Sequence, residues 1–171
     1  GEKKGNLPHK TYLDQKYGRF GWAAGNLLTF VIGQGDVLVT PIQVVNMLNL
    51  ISTSGNSGAP HLNKNIIPNN NNVQLKSNTW HYLQKATWEV VNNIDGTGKA
   101  ARVRGCTIHG KTGTAQNPHG EDHSWFAGYM TNNQDPILSL VVLVENGGKG
   151  SVLAAQISSK IFEYYKKHNA L

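Results

Sequence analysis

An α+β fold is expected from three features of this 171-residue sequence: two helical patterns in the first hundred residues, three consecutive strand patterns after Gly96, and a closing amphipathic helix. Strands and helices do not alternate, which argues against a parallel α/β sheet. A chain of this length is one domain or a piece of one, and it can bury about 70% of its unfolded surface. Hydrophobic residues make up 39% and charged residues 15%, which excludes a charge-rich disordered chain. Nineteen Gly and nineteen Asn foretell abundant turns.

Each element has its own signal. Residues 1–20 are polar and turn-rich, an irregular lead-in. The opening GEKKGNLPHK lacks the apolar stretch of a signal peptide, and no apolar run approaches the ~20 residues of a membrane span. In TPIQVVNMLNLIS, Thr40 can cap, Pro41 suits the first helical position, and Gln43 completes a capping box. Gln43, Asn46, Asn49 and Thr53 form one narrow polar stripe, so helix 41–53 should be largely buried, with Gly55 ending it. A turn at 54–60, a short strand at 61–67 and a loop tip at 68–72 follow. The second helix runs from Ser77, its cap, to about Asn93, with Trp80, Leu83, Ala86, Val90 and Ile94 at helical spacing. Residues 107–116, 124–131 and 137–145 read as antiparallel strands joined by hairpins. Residues 151–168 close the chain as a helix with Leu153, Ile157, Ile161 and Tyr164 on one face, and Lys166, Lys167 and His168 suit its dipole.

Net charge is +6, but the lysines are scattered, so a solvated basic surface is expected rather than a nucleic-acid partner. The single cysteine, Cys106, excludes an internal disulfide and any multi-cysteine metal site. Gly105 to Thr112 spells GCTIHGKT, the P-loop pattern, yet Gly113, Pro118 and Gly120 stand where its helix would run. His119 and His123 have zinc-like spacing, but Pro118 and Gly120 deny them a shared helical face. A polar hairpin loop is expected there, and no metal.

Lys111-Thr112-Gly113-Thr114 carries more weight. A lone KTG tripeptide is weak; here KTGTAQNP is followed by SWFAGY, an apolar strand and a terminal amphipathic helix. That series resembles the penicillin-binding transpeptidases. Upstream, IGQGDVLVTPIQVVNM (32–47) is similar to the I-G-Q-G-x-x-x-x-T-P-x-Q block of class B penicillin-binding proteins, and KKGNLPHKTYLDQKYG to the segment ahead of it in the elongation type. The resemblance covers essentially the whole chain.

The resemblance implies a partial penicillin-binding, serine β-lactamase-like fold: antiparallel strands with the C-terminal helix packed on them. It also implies a peptidoglycan D,D-transpeptidase that acylates a serine with a D-Ala-D-Ala stem peptide and passes the acyl group to a neighbouring amine. β-Lactams would be its inhibitors, and no cofactor is implied. A membrane-anchored parent on the periplasmic face of the bacterial inner membrane, working with a glycosyltransferase and elongation proteins, is the implied setting. Lys111 would attract the terminal carboxylate, the Thr112 and Thr114 hydroxyls would bond it, and Gly113 would leave room for substrate to lie as an added strand. The Thr114 backbone N–H would be an oxyanion-hole donor.

Two family motifs are missing. No serine stands three residues before a lysine, so SxxK is absent. Ser54-Gly55-Asn56 fits SxN, but it follows the IGQG block instead of preceding it, and reads as a turn. Residues 1–171 are therefore expected to be the C-terminal part of a transpeptidase domain, without the nucleophile and inactive alone. The missing part would leave apolar surface uncovered, favouring self-association. A non-enzymatic β-lactam sensor or partner-binding domain on the same scaffold is the alternative.

Overall fold

The computed structural model describes residues 3–169; the first two residues of the lead-in and the last two of the chain lie outside them. The chain divides into two compact units, one up to Thr40 and one from Pro41 onward.

The first unit holds two short helices. Helix α1 (Lys10–Tyr17) replaces part of the expected irregular lead-in. Its apolar signal is a single buried residue, Leu13, so periodicity could not reveal it. Instead the His9 side chain caps Tyr12 N, and Lys10 pairs with Asp14 one turn on at 2.5 Å. That pairing, with the Trp22 Nε1 hydrogen bond at 2.8 Å, holds the Asp14 carboxyl below its ordinary pKa. Helix α2 (Ala24–Val31) starts where Asn26 Oδ1 accepts from Ala23 N at 2.9 Å. It ends in the IGQG turn, where Gly33 and Gly35 have φ of 76° and 68°, a region open mainly to glycine. Asp36, just beyond, bonds Lys16 and the Tyr17 hydroxyl, and the Lys16 ammonium depresses its pKa.

The second unit is built on a three-stranded antiparallel sheet in the order β3–β4–β5. Helix α3 (Pro41–Ser52) begins at the expected proline, but only Leu48 and Ile51 are buried. The expectation of a largely buried helix is not met: Ile42 and Met47 face outward, whereas Gln43, Asn46 and Asn49 are half-buried. Gly55, at φ 99°, closes the turn after α3, and a Cβ there would lie 2.3 Å from the Val73 carbonyl.

The strand expected at 61–67 does not form. The pairing is between β1 (Asn56–Gly58) and β2 (Asn70–Asn72), and residues 61–67 belong to the loop between them. Leu62 and Ile67 find nothing to pack against, and strand propensity is expressed only where side chains pack. The asparagines supply their own cross-strand bond, Asn72 Nδ2 to Asn56 Oδ1 at 2.8 Å.

Helix α4 (Ser77–Asn92) follows, with Lys76 as the N-cap residue and no side-chain capping bond; Ser77 is the first helical residue. Trp80 is buried as expected, but Val91, not Val90, enters the core, and Ile94 lies beyond the helix, 80% exposed. A 3₁₀ turn (Lys99–Ala101) leads to β3 (Thr107–Ala115), β4 (His123–Asn132) and β5 (Asp135–Val144). β4 and β5 meet through Asn133 and Gln134, both at positive φ, as a tight hairpin requires. Pro136 is tolerated on β5 because that strand is at the sheet edge, near a register shift at Met130/Thr131.

Helix α5 (Leu153–His168) packs on one face of the sheet and α3 on the other. The buried stripe of α5 is Ala154, Ala155, Ser158 and Phe162, whereas Leu153, Ile161 and Tyr164 of the expected face are exposed. Small residues let the helix approach Phe126, Met130 and Leu140 closely, and Phe162 completes that core. A second cluster, on the α3 side, joins Leu48, Ile51, Trp80 and Tyr129.

Candidate active site

β3 is the other edge of the sheet, so among the described residues its outer side has no strand neighbour. Helix α4 covers its first half. Asn92 Nδ2 donates to the Ile108 carbonyl at 2.8 Å, and His109 Nδ1 meets the Gln84 carbonyl at 3.1 Å. The His109 ring stacks on Tyr129, with centroids 4.5 Å apart and planes 12° apart. Burial lowers the His109 pKa and raises that of the Tyr129 hydroxyl. The P-loop alternative fails on geometry: Gly105 turns into a strand, and no helix starts at Lys111.

Two glycines set the middle of the sheet. Gly110 pairs with Gly128 across β3 and β4. A Cβ on Gly110 would lie 2.5 Å from the Phe126 ring, and one on Gly128 only 2.5 Å from the His109 carbonyl. The Phe126 ring occupies the space that both leave, and it is fully buried.

Strand alternation then divides the four expected site residues between two faces. Lys111 is exposed, and its ammonium donates to the Thr112 carbonyl at 2.6 Å. Gly113 shares its face; a Cβ there would touch only the Cβ of Trp125 at 3.3 Å, so the strand is bare above it. Thr114 is exposed on the other face, where Gly150 N donates to its Oγ1 at 3.3 Å.

Thr112 is buried. Its side chain is 8% exposed, and Oγ1 pairs with Thr97 Oγ1 at 2.8 Å. Even-numbered β3 positions turn toward the α5 side, where this hydroxyl makes its internal contact.

The loop after β5 is tied down against this strand. Ser124, fully buried, donates to the Lys149 carbonyl and accepts from Ala154 N, each at 3.1 Å. Gly148 N donates to the Asp122 carbonyl at 2.8 Å, and Asn146 N to His123 Nδ1 at 3.0 Å. His119 therefore lies in a hairpin loop and His123 opens β4, with one ring nitrogen engaged by backbone. Among the described residues no group of three or more His, Cys, Asp or Glu side chains is placed to hold a metal.

Sequence reasoning missed two neighbours of the motif, Thr97 and Gly150. Thr97 had a local signal, a threonine between two glycines at 96–98. Gly150 had none, since its contact is with residues far along the chain.

Comparison with known proteins bears on the same residues. The family model described as the penicillin binding protein transpeptidase domain matches residues 2–163. The chain is 30% identical to the peptidoglycan D,D-transpeptidase MrdA of Haemophilus influenzae, over 96% of this chain and 29% of that protein. It is 30% identical to the peptidoglycan D,D-transpeptidase PbpA of Mycolicibacterium smegmatis, over 74% of this chain and 29% of that one. Among solved structures, PBP2 of Pseudomonas aeruginosa in complex with WCK 5153 superposes with a TM-score of 0.82 at 29% identity, covering 94% of this chain and 36% of that one. The penicillin-binding protein PBP2 of Helicobacter pylori gives 0.81 at 30% identity, over 96% and 31%. The chain thus spans about a third of the length of these relatives.

Proposed function

The chain belongs to the penicillin-binding protein transpeptidase family, and from that premise we propose that residues 1–171 form the C-terminal part of the transpeptidase domain in a peptidoglycan D,D-transpeptidase of the elongation type. The observation that carries this is the Lys111–Thr114 segment on an edge strand, with the lysine exposed and no side chain above Gly113.

The chemistry divides between this chain and residues outside it. The nucleophilic serine and the SxxK and SxN groups come from outside. The serine oxygen bonds to the carbonyl carbon of the penultimate D-Ala, the terminal D-Ala leaves with a proton, and an amine of a second stem peptide then takes the acyl group. Lys111 supplies positive potential for the substrate's terminal carboxylate. Thr114 supplies a hydroxyl donor, whose oxygen already accepts from Gly150 N and so is oriented. The Thr114 backbone N–H acts as an oxyanion-hole donor, and such a donor is worth about 3–4 kcal/mol in the transition state. Substrate lies along β3 as an added strand over Gly113.

Stem peptides and β-lactams are the proposed ligands, with a glycosyltransferase and elongation-complex proteins as partners of the whole protein at the periplasmic face of the inner membrane. Alone, the chain is proposed to be inactive and to self-associate through apolar surface such as Ile42 and Met47. The test is acylation by a labelled penicillin. The full-length protein should label stoichiometrically, Lys111→Ala should label much more slowly at unchanged stability, and the isolated chain should not label. Covalent labelling of the isolated chain at a serine would refute the division of residues.

A further inference from the structure

We propose that Thr97 is a positioning residue of this active site: its hydroxyl holds Thr112, and through Thr112 it holds Lys111 and the open half of β3 in the acylation geometry. The proposal rests on the reading of Lys111–Thr114 as the substrate-binding strand.

The first support is how firmly Thr97 itself is placed. It sits between Gly96 and Gly98 in a turn folded onto the last turn of α4. Gly98 N donates to the Val90 carbonyl at 2.8 Å, and Gly96 N to the Asn93 carbonyl at 3.1 Å. A Cβ on Gly96 would stand 2.3 Å from the Val90 carbonyl, so the turn approaches the helix more closely than any side chain allows. Arg102 closes over the same end, with Nε on the Val91 carbonyl at 2.7 Å and Nη2 on the Asn93 carbonyl at 2.9 Å. Val91 and Ala101, on either side of the turn in sequence, are fully buried. Thr97 is therefore exposed yet mounted on the core.

The second support is what it holds. Thr112 joins two contacts on one residue: its hydroxyl meets Thr97 Oγ1 at 2.8 Å, and its carbonyl receives the Lys111 ammonium at 2.6 Å. Helix α4 braces β3 at Ile108 and His109, before the KTG segment begins. The Thr97–Thr112 pair extends that bracing into the segment where Lys111 must meet substrate. A hydroxyl pair suits this task, since either oxygen can donate and neither carries charge that would compete with Lys111 for a carboxylate.

The test uses the full-length protein and the rate of acylation by a labelled penicillin, alongside the labelled fraction at the end point. Thr97→Val keeps the shape and removes the hydroxyl; its rate should fall about threefold to tenfold while the labelled end point stays complete. Thr97→Ser should restore the rate. A purely structural role would instead reduce the labelled fraction and leave the rate of the folded molecules unchanged. Because Thr97→Val leaves a buried hydroxyl without its partner, the double variant Thr97→Val/Thr112→Val replaces both and keeps the test open if the single variant fails to fold. It should acylate no more slowly than Thr112→Val alone, because both changes break one contact. A normal rate in Thr97→Val, no rescue by serine, or multiplicative losses in the double variant would overturn the proposal. Absence of labelling in the unsubstituted protein would instead overturn the functional reading on which it rests.

Discussion

Gly150→Ala and Gly148→Ala lie two residues apart in the loop that closes on the KTG strand, and they should behave differently. At Gly150 a Cβ would stand 1.9 Å from the Gly113 carbonyl oxygen and 2.6 Å from that of Trp125. Carbon and carbonyl oxygen ordinarily approach no closer than about 3.3 Å, so the loop must retreat by about 1 Å or more. That retreat breaks the Gly150 N bond to Thr114 Oγ1 and the Ser124 Oγ bond to the Lys149 carbonyl. Two such bonds contribute about 0.5–1.5 kcal/mol each, and overpacking adds about 1–3, so a loss of about 2–6 kcal/mol is expected. Gly148 has φ of 69° and nothing within 4 Å of a Cβ, so alanine there meets only the left-handed backbone penalty of about 1–2 kcal/mol. Urea unfolding of the chain, followed by tryptophan fluorescence, reads the difference. With a slope of about 2 kcal/mol per molar, the midpoint should drop about 1–3 M for Gly150→Ala and about 0.5–1 M for Gly148→Ala. Equal midpoints, or Gly148→Ala the less stable of the two, would refute the close packing of the loop on β3.

Three further outcomes are expected. Thr114→Val in the full-length protein should slow penicillin acylation about tenfold to a hundredfold, because one hydrogen bond to a charged group is lost while the backbone N–H remains; an unchanged rate would leave only the backbone role. Phe162→Ala should cost about 3–5 kcal/mol, since the ring is fully buried, whereas Tyr164→Ala, at 66% exposure, should cost under about 0.5 by the same urea measurement. Burial depresses the His109 pKa below 6.5, so the unfolded chain binds the extra proton first: stability is full above about pH 6.5 and falls as pH drops below it toward the folded value. His109→Phe keeps a ring to stack on Tyr129 and should remove that part of the pH dependence between pH 7.5 and 5.5; an identical slope in the variant would assign it to other groups.

Local signals in the sequence determined the elements whose causes are local. Pro41 opened α3 where a proline can, the strand patterns after Gly96 became β3, β4 and β5, and Pro118 and Gly120 ruled out a helix at the P-loop look-alike. The family followed from Lys111–Thr114 in its setting, because a motif is a statement about chain order. What tertiary structure decided was which side each residue faces. Leu153, Ile161 and Tyr164 are the more hydrophobic stripe of α5, yet Ala154, Ala155 and Ser158 are buried with Phe162, because close approach to the sheet selects small side chains over apolar ones. Trp80 could be read as core from helical spacing, but Val91 replaced Val90 because the sheet, not the helix, sets the contact line. The contact of Thr112 with Thr97 was set by alternation along β3, and Gly150 gained its role from carbonyls that lie 37 and 25 residues before it. Chain spacing fixes periodicity within an element; only the meeting of elements fixes the face, and on β3 it sets Thr112 against Thr97 and leaves Lys111 exposed on the opposite side.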